Sequence, residues 1–223
     1  MDLRIQKLIR TKRKTLALQI RDDGALVVRA PLKVSLRYIQ EVIAKKSRWI
    51  KKKSSQAIER ARLKPVKKFI EAEEFLYLGN FYKLYLSESK KKRLCFEDKF
   101  LLPKADIDKA RELFIGWYKA QAKKIIGERV KLYSKQINAS YRKIRITNAS
   151  FRWGSCSQKG DLNFSWRIVM APLKVLDYVV VHEMVHLLEK SHSKRFWERV
   201  SNYYPEYKMC RNWLKEKGFS LVI

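Results

Sequence analysis

The sequence predicts an α+β fold, and three observations support this. Short strand-like segments separated by turn residues fill much of the first hundred positions, apolar residues recur at helical spacing over residues 107–137, and strands and helices follow to the last residues. With 223 residues, 46% of them hydrophobic, the chain can bury the core of one large or two small domains. We place a β-rich N-terminal part with one helix at residues 1–102 and a second domain at residues 103–223.

In the N-terminal part, the segments LRIQKLI, TLALQI and ALVVRA read as strands, and DDG at residues 22–24 supplies the turn of a hairpin. Ser35 is the predicted N-cap of one helix over residues 36–62. The aromatic segment FLYLGNFYKLYL, bent at Gly79 and Asn80, predicts a second hairpin, and weaker strands follow at residues 94–102.

The second domain begins with the periodic segment 107–137, which predicts one long helix, or two if Gly116 and Gly127 weaken it. KIRIT and LNFSWRIVM read as strands on either side of a turn-rich segment. Pro172 then opens a helix that runs to about Glu189, and a final helix pair is predicted at residues 194–203 and 207–217.

Charge and cysteine content narrow the classes of function. The formal net charge is +29, so nucleic acid, nucleotides and anionic lipid are candidate partners, while a solvated lysine-rich surface is the plainer interpretation. The three cysteines are far apart and odd in number, which argues against a disulfide framework or a cysteine zinc knuckle. No long apolar run predicts a secretion signal or a membrane span. We therefore expect a cytoplasmic protein.

All three histidines of the chain lie within eleven residues, in VVHEMVHLLEKSH. His182 and His186 are four residues apart, so on a helix both imidazoles face the same ion. Glu183 lies about 100° around that helix, where it reaches the metal-bound water as a general base. His192 is the remaining histidine and the predicted third ligand, although Glu189 stands where related spacings place a turn glycine.

The alternative is that the H-E-x-x-H pattern occurs by chance on a solvated helix. The flanking residues argue against this, because Val179, Val180, Val181, Met184 and Val185 make the helix apolar nearly all round. Histidines buried in such a helix are costly without a partner. The pattern therefore predicts a metal site.

The segments RWGSCSQKGDLNFSWRIVMAP and LDYVVVHEMVHLLEKSHSKRFW, together with RKTLALQI, FLYLGNFYKL and YYPEY in this order, resemble YgjP-like metal-dependent hydrolases over nearly the whole chain. The resemblance implies a zincin-like metallopeptidase domain over about residues 104–223 behind the β-rich part. It also assigns the metal to His182, His186 and His192 and the base role to Glu183. More distantly, the chain is similar to SprT-like and WLM-type proteases, some of which act on proteins bound to DNA.

Six further residues are predicted to bind substrate. From the resemblance we expect Arg152 and Ser155, together with Cys156, on or beside the strand that borders the cleft, where zincins hold a substrate backbone by strand addition. Arg152 and Asn163 are candidates to polarise a substrate oxygen. Cys156 is a candidate redox-sensitive ligand, or a small buried residue. The basic residues next to His192 suit a polyphosphate, or form a solvated helix start: Lys190, Lys194 and Arg195.

Three functions remain open at this stage. The first is a zinc metallopeptidase, in which one Zn²⁺ polarises the attacked oxygen and Glu183 takes the proton of the attacking water. The second, an activity also implied by the resemblance, is a metal-dependent nucleoside triphosphate (UTP-type) pyrophosphatase. The third is a basic nucleic-acid-binding module with a structural metal, which Glu183 argues against. The expected partners are a protein, peptide or nucleotide substrate and weakly bound nucleic acid, with no membrane, and the oligomeric state stays open.

Overall fold

The computed structural model describes residues 5–88 and 93–223, and the chain folds into two compact units, Met1–Lys64 and Pro65–Ile223. The elements of the first unit are β1 (Ile5–Thr11), β2 (Ala17–Ile20), β3 (Leu26–Pro31), α1 (Leu36–Lys45) and α2 (Ser47–Leu63). The central strand β3 pairs in parallel with β1 and antiparallel with β2. This confirms the predicted hairpin, whose turn is closed by the Ala25 amide donating to Asp23 Oδ1 at 3.0 Å.

The predicted single helix of this unit is wrong, although its N-cap is confirmed by the bond from the Tyr38 amide to Ser35 Oγ. The helix breaks at Lys46, whose φ and ψ of −100° and 11° leave the helical range. Ile50 of α2 thereby joins Ile39 and Ile43 of α1 in the core of the unit. With 27 residues in two helices and 17 in three strands, this unit holds more helix than strand.

The second unit begins with a four-stranded sheet of order β4-β5-β7-β6: β4 (Glu74–Tyr77), β5 (Asn80–Ser87), β6 (Cys95–Phe96) and β7 (Phe100–Pro103). The predicted boundary lies between residues 102 and 103, whereas the two compact units meet at Lys64 and Pro65. The difference arises because the aromatic residues of this sheet pack on the following helix, α3 (Ala110–Ile137). The ring centroids of Phe75 and Phe114 are 4.2 Å apart, and those of Phe100 and Phe114 are 4.9 Å apart.

The long helix α3 is continuous over 28 residues, so neither Gly116 nor Gly127 interrupts it. It ends at Asn138, whose φ of 52° is the left-handed conformation that asparagine tolerates at a helix end. The helix packs on the four-stranded sheet and on a later helix, α4 (Leu173–Val185), and eight of its residues are buried. α3 therefore supports α4 from one side.

A three-stranded sheet follows, with β8 (Lys143–Thr147), β9 (Gly154–Cys156) and β10 (Asp161–Ser165) in the order β8-β10-β9. β9 is therefore an edge strand. The Trp153 carbonyl accepts from the Ser165 amide, and the Ser157 amide donates to the Asp161 carbonyl, both towards β10. Since these groups alternate in direction along a strand, the amides and carbonyls of Gly154 and Cys156 point away from β10.

The last three helices are α4 (Leu173–Val185), α5 (Lys194–Tyr203) and α6 (Tyr207–Lys217), and the bounds of the final pair agree with the prediction. α4 ends four residues earlier than predicted, and His186 is its C-cap. Asp177 of α4 accepts two hydrogen bonds from Arg129 of α3 at 2.6 and 2.7 Å, which ties the two helices together. Among the helices of residues 5–88 and 93–223, none has the length and apolar character that crossing a membrane requires.

Candidate metal centre

The three histidines converge at the C-terminal end of α4. His182 lies in its last turn, His186 caps it, and His192 lies in the segment that leads into α5. One ring nitrogen from each histidine lies within 4.8 Å of the others, and His182 Nε2 and His192 Nε2 are 3.0 Å apart. The predicted convergence of the three side chains is therefore present in the fold.

Neighbouring groups orient two of these rings. His186 Nδ1 is 2.9 Å from the Glu189 carbonyl, so a proton donated there leaves Nε2 with a free lone pair. His192 stacks on Trp197, with centroids 5.6 Å apart and planes at 22°, and meets the edge of Phe196. Glu189 does not adopt a positive φ, so this turn does not need the glycine that related motifs have at this position.

The electrostatics favour neutral imidazoles. Burial lowers the pKa of His182 to about 3, and His186 and His192 add to the effect. Burial, followed by the charge of His186, also lowers the pKa of His192. A neutral imidazole offers the lone pair that a metal ion requires.

These residues fit a metal ion. Two nitrogens that bind one tetrahedral ion at about 2.0 Å lie roughly 3.3 Å apart, close to the spacing of His182 Nε2 and His192 Nε2. His182 Nδ1 is buried and has no hydrogen-bond partner in the described part of the chain, so no protein acceptor competes for this ring. Three imidazoles are a ligand set typical of divalent transition metals.

Glu183 lies beside the cluster and is buried, with 6% of its surface exposed. It packs directly on β9, because a Cβ at Gly154 would come within 2.5 Å of Glu183 Cγ and 2.7 Å of its Oε1. Burial raises the pKa of this carboxyl to about 8, and the nearby charge of Arg152 partly opposes the shift. The helix and the edge strand thus hold one carboxyl group next to three histidines.

The matching family model is the YgjP-like metallopeptidase domain, and it covers residues 14–217. The chain belongs to the YgjP-like family. The family is one of metallopeptidase domains, so the chain is a metal-dependent hydrolase with an α+β fold. Among solved structures, the crystal structure of the metallopeptidase zymogen of Pyrococcus abyssi abylysin is similar over 41% of this chain and 93% of that chain, with 18% identity and a TM-score of 0.39. No curated protein matches the chain.

The YgjP-like chain brings three of its predicted substrate-binding residues to one polar cavity of about 190 Å³: Arg152, Ser155 and Asn163. Asn163 of β10 is paired with Ser155 of β9, and its Nδ2 donates a hydrogen bond to the Ser155 carbonyl at 3.3 Å. Because side chains alternate along a strand and the Cα–Cβ direction of Gly154 points to Glu183, Ser155 and its partner Asn163 face the other side of the sheet. Arg152 alone of the three acts electrostatically on Glu183.

The predicted basic residues after the motif are exposed. Lys194 pairs with Glu198 at 3.7 Å, and Arg195 pairs with Glu189 at 2.9 Å. Two of the three cations therefore have a protein carboxylate as partner. Cys156 is half-buried, and burial raises the pKa of its thiol, which favours the structural interpretation of this residue.

Three residues near the histidines and Glu183 were not predicted from the sequence: Gly154, Trp197 and Arg211. Gly154 lies inside the RWGSC block and leaves room for Glu183, while Trp197 ends the HSKRFW block and supports His192. The recognised blocks contained both residues, but their contacts are between segments distant in sequence. Arg211 lies on α6 and stacks on Trp197, and no motif marked it.

Proposed function

We propose that the chain is a zinc peptidase in which His182, His186 and His192 hold the metal, Glu183 is the general base, and β9 binds the main chain of the substrate. The observation that carries the proposal is the contact of Glu183 with Gly154, since it unites a buried carboxyl, the histidine cluster and the free edge of a strand. A structural metal site needs no such carboxyl.

The ligand set supports zinc, because catalytic zinc sites typically use three protein ligands, three imidazoles among them, and take water as the fourth. When bound, the ion supplies polarisation of the substrate carbonyl and acidification of the attacking water. Glu183 then accepts the proton of that water and returns it to the leaving amine. Glu183 projects from α4 onto Gly154 and is buried there, which keeps bulk water from competing for the proton.

The edge strand favours a peptide over a nucleotide. The outward amides and carbonyls of Gly154 and Cys156 match the hydrogen-bonding groups of an extended main chain, which pairs with a sheet edge by strand addition. Of the three basic residues after the motif, Lys194 and Arg195 already pair with carboxylates, so these two are less suited to bind a triphosphate. We therefore place the pyrophosphatase second.

The decisive experiment compares Glu183→Gln with the wild-type chain on unfolded proteins, peptides and nucleoside triphosphates. The amide is nearly isosteric, so the variant keeps its fold and about one metal ion per chain by elemental analysis, and loses about 10²- to 10⁴-fold in peptide cleavage. Glu216→Gln on the exposed face of α6 is the matched control and retains the wild-type rate. Full activity of Glu183→Gln contradicts the mechanism, and cleavage of triphosphates alone selects the pyrophosphatase.

A further inference from the structure

An open cavity of about 440 Å³ lies beside His192, between α5 and α6. It is lined by six residues of these two helices: Lys194, Trp197, Glu198, Ser201, Tyr207 and Arg211. Trp197 connects the cavity to the metal centre, because its indole also stacks on His192. The cavity therefore lies next to the histidine cluster, on the side of His192.

The cavity contains a second cation besides Lys194, the guanidinium of Arg211. Its Cζ lies 4.6 Å from the ring centroid of Trp197, and no ion pair joins its guanidinium to an acidic group of residues 5–88 and 93–223. Lys194 differs, since Glu198 on the same wall already neutralises it.

The aromatic wall prepares Arg211 to bind an anion. Trp197 and Tyr207 stack with centroids 5.5 Å apart and planes at 21°, and the guanidinium lies over the Trp197 ring. A guanidinium held by stacking loses little freedom on binding, and its fork of N–H donors matches the two oxygens of a carboxylate. The apolar rings also exclude part of the water that would screen the pair.

We propose that Arg211 binds a carboxylate of the peptide substrate, so that the chain selects acidic peptides on the His192 side of the scissile bond. The proposal rests on the peptidase function proposed above. The carboxylate belongs either to an aspartate or glutamate side chain or to the C-terminus of the peptide. Both sources offer the same two oxygens, and peptide design separates them.

The test measures peptide binding to metal-loaded Glu183→Gln protein by calorimetry, and cleavage by the Glu183-containing chain. One peptide set carries Glu or Gln at successive positions with an amidated C-terminus, and a second set carries Gln with a free or amidated C-terminus. A carboxylate at the preferred position should strengthen binding at least about 10-fold, the effect of a charge-assisted hydrogen-bonded pair. The set that shows the effect identifies the source.

Arg211→Gln in the same background should abolish this preference, and Arg211→Lys should retain part of it, because lysine keeps the charge but not the fork. Lys208→Gln removes the same charge one turn earlier on α6, outside the cavity, and should preserve the preference. Thermal unfolding of each variant checks that the fold is intact.

Equal binding of the Glu and Gln peptides and of the free and amidated peptides overturns the proposal, as does a preference that survives Arg211→Gln. A fall in kcat that is equal for all peptides, with unchanged preference, also overturns it, because Arg211 would then act on the reacting bond. These results leave the peptidase function standing if neutral peptides are cleaved. Cleavage of triphosphates but of no peptide refutes the proposed function instead.

Discussion

The two units of the chain differ in the size of their hydrophobic cores and in their density of positive charge. Pro65–Ile223 packs 34 of its described residues into one buried hydrophobic cluster, whereas the cluster of Met1–Lys64 contains six. The first unit carries 19 Lys and Arg against five Asp and Glu, a net charge of +14 in 64 residues, and the second carries +15 in 159. The density of positive charge is thus more than twice as high in the unit with the smaller core.

The difference shows why the buried site groups lie in the second unit. A carboxyl such as Glu183 can be kept from water only where a large core surrounds its helix, and α4 lies between α3 and the sheet of β8, β9 and β10. α2 of the first unit buries Ile50 alone among its residues and presents lysines to water. The first unit therefore has the higher density of positive charge, and the second has the core that buries the carboxyl of Glu183.

The largest effect on stability should come from the buried ion pair of the second unit. Arg129→Ala leaves Asp177 with 9% exposure and no cation, which should cost about 3–5 kcal/mol in the free energy of unfolding. Lys64→Ala breaks the exposed pair with Asp22 in the first unit and should cost less than about 1 kcal/mol. Denaturant unfolding of both variants measures the contrast, and equal losses would refute it.

The next effect concerns packing at the site. Gly154→Ala places a methyl group within 2.5–2.8 Å of Glu183, so the carboxyl must move, and peptide cleavage should fall by about 10²-fold with metal content unchanged. Gly116→Ala is the control, because no atom lies within 4 Å of its Cβ position on α3. It should keep full activity and gain about 0.8–1 kcal/mol of stability from helix propensity. An active Gly154→Ala enzyme would contradict the role given to this contact.

A smaller effect should appear in acid. Arg142 donates two hydrogen bonds to Asp161 at 2.5 and 2.6 Å, and these bonds lower the pKa of the Asp161 carboxyl. Because the pKa is lower in the folded state, the stabilisation is complete above the unfolded pKa of about 3.9 and disappears as pH falls through the folded value. Below about pH 4, the melting temperature of the metal-free wild type should therefore drop more steeply than that of Asp161→Asn. Parallel curves would remove Asp161 from the acid transition.

The smallest effect tests the charge of the first unit. If nucleic acid binds the chain weakly, as the net charge predicts, Lys51, Lys52 and Lys53 changed together to Gln should reduce the slope of log K against log salt by up to about 0.9 for each phosphate that is no longer neutralised. The same change at Lys123, Lys124 and Lys131 of the second unit should reduce it less. Fluorescence anisotropy with a DNA oligonucleotide at several salt concentrations measures both slopes. If both triple variants have the same slope, the lysines of the first unit have no special role and form part of a general solvated surface.

The fold was predicted best where the signal is local. The start of α1 after its cap Ser35, the bounds of α5 and α6, and the hairpin of β2 and β3 follow from neighbouring residues, so the sequence predicted them. The break at Lys46 was missed, because it depends on how Ile50 reaches the core of its unit. The predicted boundary at residues 102 and 103 differs from that of the two compact units for a similar reason. Alternating aromatic residues predict a strand, but not the helix on which that strand packs.

By itself, the sequence determined the chemistry of the centre. Two histidines four residues apart on a helix share a face whatever the rest of the fold does, and the apolar flanks make that helix buried. Tertiary structure alone decided what surrounds them: His192 supported by Trp197, Glu183 against Gly154, Ser155 and Asn163 on the far face of the sheet, and Arg211 beside Trp197. Local spacing fixes directions within one element, but contacts between elements depend on packing, strand register and which sheet edge remains free.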